Sequence, residues 1–275
     1  MNRLSSGLQD FYLDRPLNFA HRGASYEAPE NTLAAFLLAI ELGADGIEFD
    51  VQLSQDDQVV VIHDYELRKT TGAEGLVRDR TLDELKELDA GSHFDPAFAD
   101  QRIPTLQEVI DTVGQRLLFN IELKSQKLGD DGLAAQVVRA VEDSHLLDRV
   151  IVSSFDPLAV RRVKQLNPWI PTGLLYAPDS PPLLRPWLGH LIHFDAMHPH
   201  YSTIDERYMR WARKRGYRVN VWTVDEPADM WQLMRWGVDT IITNRPDLLR
   251  QTLVAGRERW RAPGQELALL RSRRD

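Results

Sequence analysis

Short, mostly apolar runs alternate with amphipathic stretches along almost the whole chain. The runs at 17–22, 46–53, 59–63, 117–124, 149–154, 172–176, 193–198, 218–224 and 239–243 predict strands. Between most of them, apolar residues recur at helical spacing, over 32–42, 105–113, 131–144, 157–166, 205–215, 227–236 and 247–255. Strand followed by helix, repeated this often, predicts an α/β fold with a parallel sheet and crossover helices. About eight such units in roughly 250 residues point to the closed TIM (β/α)8 barrel, with a doubly wound open sheet as the alternative.

Two segments break the rhythm. Residues 64–104 form an excursion after the second strand region, with a short helix near 81–88. Thr81 is its expected N-cap, with Glu84 three residues on. The second break is the proline-rich loop PDSPPLLRPWLG at 178–189, with Leu183, Leu184 and Trp187 expected at the surface. The tail after Gly256 is arginine-rich and expected to be a solvated end. The pattern is read as one domain over 1–275, with its core at about 17–255 and the insertion at about 64–104.

Composition narrows the chemistry. A hydrophobic fraction of 43% in 275 residues suffices for a sizeable core. The net charge of −8 gives no general attraction for nucleic acid or an anionic membrane, so any phosphate must be met by local positive charge. There is no cysteine, which excludes disulfides, thiolate metal sites and cysteine nucleophiles. The first residues carry Asp10, Asp14 and Arg15 without an apolar core of signal-peptide type, and no later segment has about 18 unbroken apolar residues. A cytoplasmic protein without stable membrane insertion is the expectation.

On a strand, Glu48 and Asp50 of GIEFDVQL project from one face, while Ile47, Phe49, Val51 and Leu53 take the other. Two acids side by side repel unless a cation lies between them. In LLFNIELKS, Asn120, Glu122 and Lys124 likewise share a face opposite Phe119, Ile121 and Leu123. Polar residues on inward barrel faces belong at the C-terminal mouth, where these barrels keep their active sites. Three carboxylates without a thiolate point to one hard divalent ion, Mg²⁺ or Ca²⁺, with Mn²⁺ as a further candidate. Lys124 suits either a pairing with Glu122 or a phosphate oxygen.

His21 ends the run NFAH and His63 ends VVVIH, each where a strand gives way to a loop. At equivalent strand ends the two make a natural acid/base pair, with metal ligation as the alternative. Arg22 adds a forked donor for phosphate, and Gly23 permits a tight turn. His198 and His200 in MHPHY read as loop or rim residues.

From about Asn18 to Asp247 the chain resembles the glycerophosphodiester phosphodiesterase family of bacterial cytoplasmic type. The resemblance lies in HRG, PENT, ExD, HD, NIELK, VNVWTVD and ITNRPD, in that order and at the expected spacing. It implies a TIM barrel with a small insertion after the second strand region. It also implies catalytic His21 and His63, metal ligands Glu48, Asp50 and Glu122, phosphate contacts from Arg22 and Lys124, and Trp222 lining the substrate pocket. Strand parity agrees for Trp222, with Asn220, Trp222 and Val224 opposite Val219, Val221 and Thr223. Glu30 of PENT either supports the metal through another ligand or fixes the loop, where Asn31 or Thr32 caps a helix. Two departures, QDDQ at 55–58 where a glycine is common and the pair Arg68-Lys69, are expected to lie apart from the chemistry.

The resemblance implies metal-dependent hydrolysis of glycerophosphodiesters to sn-glycerol 3-phosphate and an alcohol. One histidine would take a proton from the attacking hydroxyl and the other would protonate the leaving alcohol. Two alternatives are a lysophospholipase D gripping an acyl chain with the apolar loop, and a non-catalytic phosphate binder on the same fold.

Overall fold

A computed structural model describes residues 11–125, 131–180 and 192–257. Leu183, Leu184 and Trp187 lie outside the described residues, as does the tail beyond residue 257.

Eight parallel strands close a barrel: β1 (Leu17–His21), β2 (Gly46–Leu53), β4 (Leu118–Leu123), β5 (Val150–Ser154), β6 (Thr172–Tyr176), β7 (Ala196–Pro199), β8 (Arg218–Val221) and β9 (Thr240–Thr243). The remaining strand, β3 (Val59–Val61), pairs with β2 outside this ring. Closure comes from β1, which pairs in parallel with both β2 and β9. The predicted barrel is therefore the observed one, and the open sheet is excluded.

Helices α1 (Leu33–Glu41), α4 (Leu106–Val113), α5 (Leu133–Asp143), α6 (Pro157–Leu166), α7 (Glu206–Lys214), α8 (Pro227–Trp236) and α9 (Pro246–Arg257) cover the outside. Parity decides what they bury. Ile47, Phe49, Val51, Phe119, Ile121 and Leu123 face outward into one cluster with Phe36, Ala39, Val109 and Ile110. Val219, Val221 and Ile241 do the same with Met209, Met230, Leu233 and Leu249. Each such fully buried Leu, Ile or Phe contributes about 1.5–3 kcal/mol from its removal from water. The inward residues Leu17, Phe19, Ile151, Ala196 and Ile242 form an apolar floor with Phe11 and Tyr12.

Two predicted strands are displaced. The run 59–63 is not a barrel strand: β3 runs antiparallel to β2, with Val51 opposite Val61 and Leu53 opposite Val59. Only residues 54–58 separate the two, too few for the crossover that a parallel pair requires. Asp57 takes a left-handed φ of 58° in this turn, and Gln58 N donates to Ser54 Oγ. Strand β7 begins at Ala196, later than the run 193–198, and the Asp195 carboxylate before it meets Thr172 N and Lys164. The parity inferred beyond Trp222 also fails. Strand β8 stops at Val221, and Val224 packs outward with Val219 and Val221.

The insertion carries α2 (Arg68–Thr71) and α3 (Leu82–Lys86) and a small core of Val60, Ile62, Leu67, Val77, Leu85, Ala90 and Ile103. Thr81 caps α3 in a reciprocal capping box with Glu84, as its spacing predicts. Among the described residues no helix is long and apolar enough to cross a membrane.

Candidate active site

Strand register sets the charged side chains level with one another at the C-terminal mouth. His21 stands beside Glu48, Glu48 beside Asn120, and Asp50 beside Glu122. The antiparallel β3 then carries the chain back down. Ile62 N donates to Asp50 O, and the next residue, His63, arrives at the level of the acids. The two histidines are thus not at equivalent strand ends. One ends a barrel strand, and a hairpin delivers the other.

His21, Glu48, Asn120, Glu122 and His63 line a cavity of about 210 Å³. His21, Arg22, Glu48, His63, Glu122 and Lys124 make its charged side. Phe155, Leu175, Trp222 and Ile242 make the apolar side, with the Phe155 and Trp222 rings edge to face at 5.6 Å. Trp222 is held by a bond from Nε1 to His198 O, 2.8 Å.

Glu48, Asp50 and Glu122 are buried, each offering an oxygen within 4.8 Å of the others. Burial, then Asp50 and Glu122, push the Glu48 carboxyl well above its usual range. Burial and Asp50 push Glu122 up to about 7, against the pull of Lys124. Burial also opposes the Asp50 charge, but Arg22, Lys124 and His63 outweigh it and hold that carboxyl low. Asp50 Oδ1 is buried without a hydrogen-bond partner. Crowded acids and a buried carboxylate oxygen that lacks a hydrogen bond, with Lys124 Nζ no nearer than 3.7 Å, fit a hard divalent cation, which relieves both.

The cations are anchored from behind. Arg22 sits at a left-handed φ of 56°, its N–H donating to Glu48 O at 2.7 Å. Its guanidinium meets Glu30 at 3.0 Å and Asp50 at 3.3 Å. Gly23 must be glycine: at φ +84° an added Cβ would lie 2.6 Å from Ala35 Cβ. Lys124 Nζ lies 3.1 Å from Glu122 and 3.7 Å from Asp50, and both hold its charge against burial.

Glu30 therefore faces Arg22 and Lys69 rather than the acids. Thr32, not Asn31, caps α1, because Asn31 at φ +59° turns its side chain to Asp50. The expectation that Arg68-Lys69 lies apart from the chemistry is corrected in part. Lys69 Nζ bridges Glu30 at 3.3 Å and Asp64 at 3.5 Å.

Each histidine has its Nδ1 occupied. His63 Nδ1 is 2.5 Å from Asp64 Oδ1, and His21 Nδ1 is 2.7 Å from Asn244 Oδ1. His21 Nε2 is left facing Glu48 Oε2 at 3.9 Å. Burial and Arg22 lower the His21 pKa to about 4, against its bond to Asn244. Burial also lowers His63. The partners Asp64 and Asn244 were already visible in the HD and ITNRPD motifs. Their roles were not, because the contacts depend on side-chain direction at the rim.

His198 is a further correction. It is no loop or rim residue but points into the barrel from β7, fully buried, with Nε2 2.9 Å from Asn220 Nδ2. Gly173 makes the room, since a Cβ there would come 2.3 Å from His198 Nε2. His200 does lie at the rim, edge on to Trp222 at 5.3 Å.

The glycerophosphodiester phosphodiesterase of Caldanaerobacter subterraneus subsp. tengcongensis is 43% identical to this chain over 237 residues, covering 86% of this chain and 96% of that protein. The enzyme of that name from Bacillus subtilis is 34% identical over 254 residues, covering 86% of each chain. A phosphodiesterase of Oleispira antarctica, solved in complex with the product sn-glycerol-3-phosphate, superposes with a TM-score of 0.76 at 32% identity, covering 87% of this chain and 97% of that one. The family match itself spans residues 21–248, from the first candidate histidine to the start of α9. The chain belongs to the glycerophosphoryl diester phosphodiesterase family.

Proposed function

We propose that the protein is a metal-dependent glycerophosphodiester phosphodiesterase in which His21 and His63 exchange the protons. The observation that carries this reading is one cavity holding two imidazoles, each fixed through Nδ1, beside three buried carboxylates and two anchored cations. The relatives named for this activity, and the Oleispira structure with sn-glycerol-3-phosphate, support the substrate class.

Arg22 and Lys124 hold the non-bridging oxygens of the phosphodiester. Glu48, Asp50 and Glu122 would hold the cation, Mg²⁺ or Ca²⁺ by their donor chemistry, and its charge would offset negative charge on the phosphoryl oxygens. One histidine takes the proton of the attacking hydroxyl as its oxygen bonds to phosphorus. The other gives a proton to the alcohol oxygen as the old P–O bond breaks. Where the attacking oxygen is that of water, the products are sn-glycerol 3-phosphate and a free alcohol. Where it is the neighbouring glycerol hydroxyl, the alcohol departs to leave a cyclic phosphate, which water then opens to sn-glycerol 3-phosphate. Trp222 and Phe155 cover the apolar side of the bound molecule and exclude water there.

The test is turnover of glycerophosphocholine by the full chain with Mg²⁺, Ca²⁺ or Mn²⁺ and with a chelator, alongside His21→Ala and Glu122→Gln. Turnover should stop with chelator and fall about 100-fold or more in each variant. Undiminished activity in both variants would overturn the site. No turnover with any of the three metals would favour a phosphate binder.

A further inference from the structure

Behind His21, away from the cavity, a chain of hydrogen bonds crosses three neighbouring strand ends. Asp225 follows β8, Asn244 follows β9 and His21 ends β1. Asp225 Oδ1 accepts from Thr243 Oγ1 at 2.9 Å and from Asn244 N at 2.8 Å. The Thr243 hydroxyl is itself directed, because its oxygen accepts from Arg245 N. Asp225 Oδ2 accepts from Asn244 Nδ2 at 2.6 Å.

A carboxylate offers only lone pairs, so the amide end of Asn244 must face Asp225 and the carbonyl end must face away. That carbonyl, Oδ1, is the atom 2.7 Å from His21 Nδ1. A carbonyl oxygen cannot donate, so the hydrogen of this bond belongs to Nδ1. Ser25 does not alter this: its one hydroxyl hydrogen has His21 O at 2.8 Å and Asn244 Oδ1 at 2.9 Å, and neither arrangement puts a donor before Nδ1.

We infer that Asp225 and Asn244 are positioning residues that set the tautomer and direction of the His21 ring, so that Nδ1 keeps its hydrogen and every proton His21 exchanges passes through Nε2. The inference rests on the proposed role of His21 but does not depend on whether that residue is the acid or the base. A neutral imidazole has one N–H, so holding it on Nδ1 leaves the Nε2 lone pair directed to the cavity. Protonation then adds a hydrogen at Nε2 alone. His63 reaches the same result locally, through the carboxylate of the next residue. His21 needs two groups from other strands, so its orientation depends on barrel closure.

The test uses the full chain labelled with ¹⁵N-histidine in mildly alkaline buffer with Mg²⁺, with the His21 signals assigned by their loss in His21→Ala. Long-range ¹H–¹⁵N correlations then show which ring nitrogen carries the hydrogen, and turnover of glycerophosphocholine gives kcat and KM. Wild type should carry it on Nδ1. Asp225→Asn frees the Asn244 amide to turn round, so the Nε2–H form should grow and kcat should fall about 10- to 100-fold while KM stays within about twofold. The exchanged pair D225N/N244D puts an amide donor before a carboxylate that again accepts from Nδ1. It should recover the wild-type tautomer and most of kcat, which a purely structural role would not produce.

A wild-type His21 with its hydrogen on Nε2 overturns the inference, whether or not any variant folds. So does an Asp225→Asn protein with unchanged tautomer and kcat when His21→Ala is inactive. Full activity in His21→Ala would instead overturn the proposed role of His21.

Discussion

His198 projects from β7 into the barrel, and burial lowers its pKa to about 3. Its Nδ1 is buried without a hydrogen-bond partner, so it resists protonation without evident gain from it. In the unfolded chain the same imidazole titrates near 6.5. Because the folded pKa is the lower, this residue's contribution to stability is present above 6.5 and is lost as pH falls towards 3. Over that window it steepens acid destabilisation by up to about 1.4 kcal/mol per pH unit. His198→Gln keeps an acceptor for Asn220 and removes the titration. Urea midpoints measured across the window should fall less steeply in the variant, and parallel profiles would count against the buried neutral histidine.

Among the elements, the β2–β3 hairpin determines whether the site is complete. Its first strand carries Glu48 and Asp50, and its return brings His63 to them. The turn between holds Asp57 at φ +58°, a conformation that glycine adopts without steric cost. The departure at QDDQ is therefore a small local strain. Asp57→Gly should stabilise the protein by up to about 1 kcal/mol, a rise of about 2–4 °C in Tm, and leave kcat unchanged. A lower Tm would show that the Asp57 side chain contributes more than its backbone costs. The insertion that follows is also tied to the site, because Lys69 of α2 joins Glu30 and Asp64, the partners of Arg22 and His63.

At the scale of the whole molecule, barrel closure concentrates negative charge that the fold alone does not neutralise. Glu122 has its pKa raised from 4.5 to about 7, so its contribution to stability is fully present below 4.5 and lost as pH rises through about 7. A cation bound by the ionised carboxylates opposes that loss. The rise in Tm produced by saturating Mg²⁺ should therefore grow with pH through about 7, reaching about 5 °C or more on the alkaline side. Taking the difference between metal-bound and metal-free melts removes the opposing titration of His198, whose shift comes from burial alone. Glu122→Gln should show little rise at any pH; an equal, pH-independent rise in both proteins would place the metal elsewhere.

The alternation of apolar and amphipathic runs was sufficient to read a parallel α/β sheet with crossover helices, because each strand must bury one face under helices whatever the neighbouring strands do. Closure was decided by the pairing of β1 with both β2 and β9. Parity likewise placed Glu48, Asp50, Glu122 and Lys124 on inward faces, since a two-residue repeat is a local property of an extended chain. The motif order located His21 and His63 as well. Three features required the closed structure: the burial of His198, the bridge made by Lys69 and the line from Asp225 through Asn244 to His21. Each joins residues far apart in the sequence or turns on which strand lies beside which. Periodicity along one strand carries no information about either, and only the pairing of β8, β9 and β1 brings the last three residues into contact.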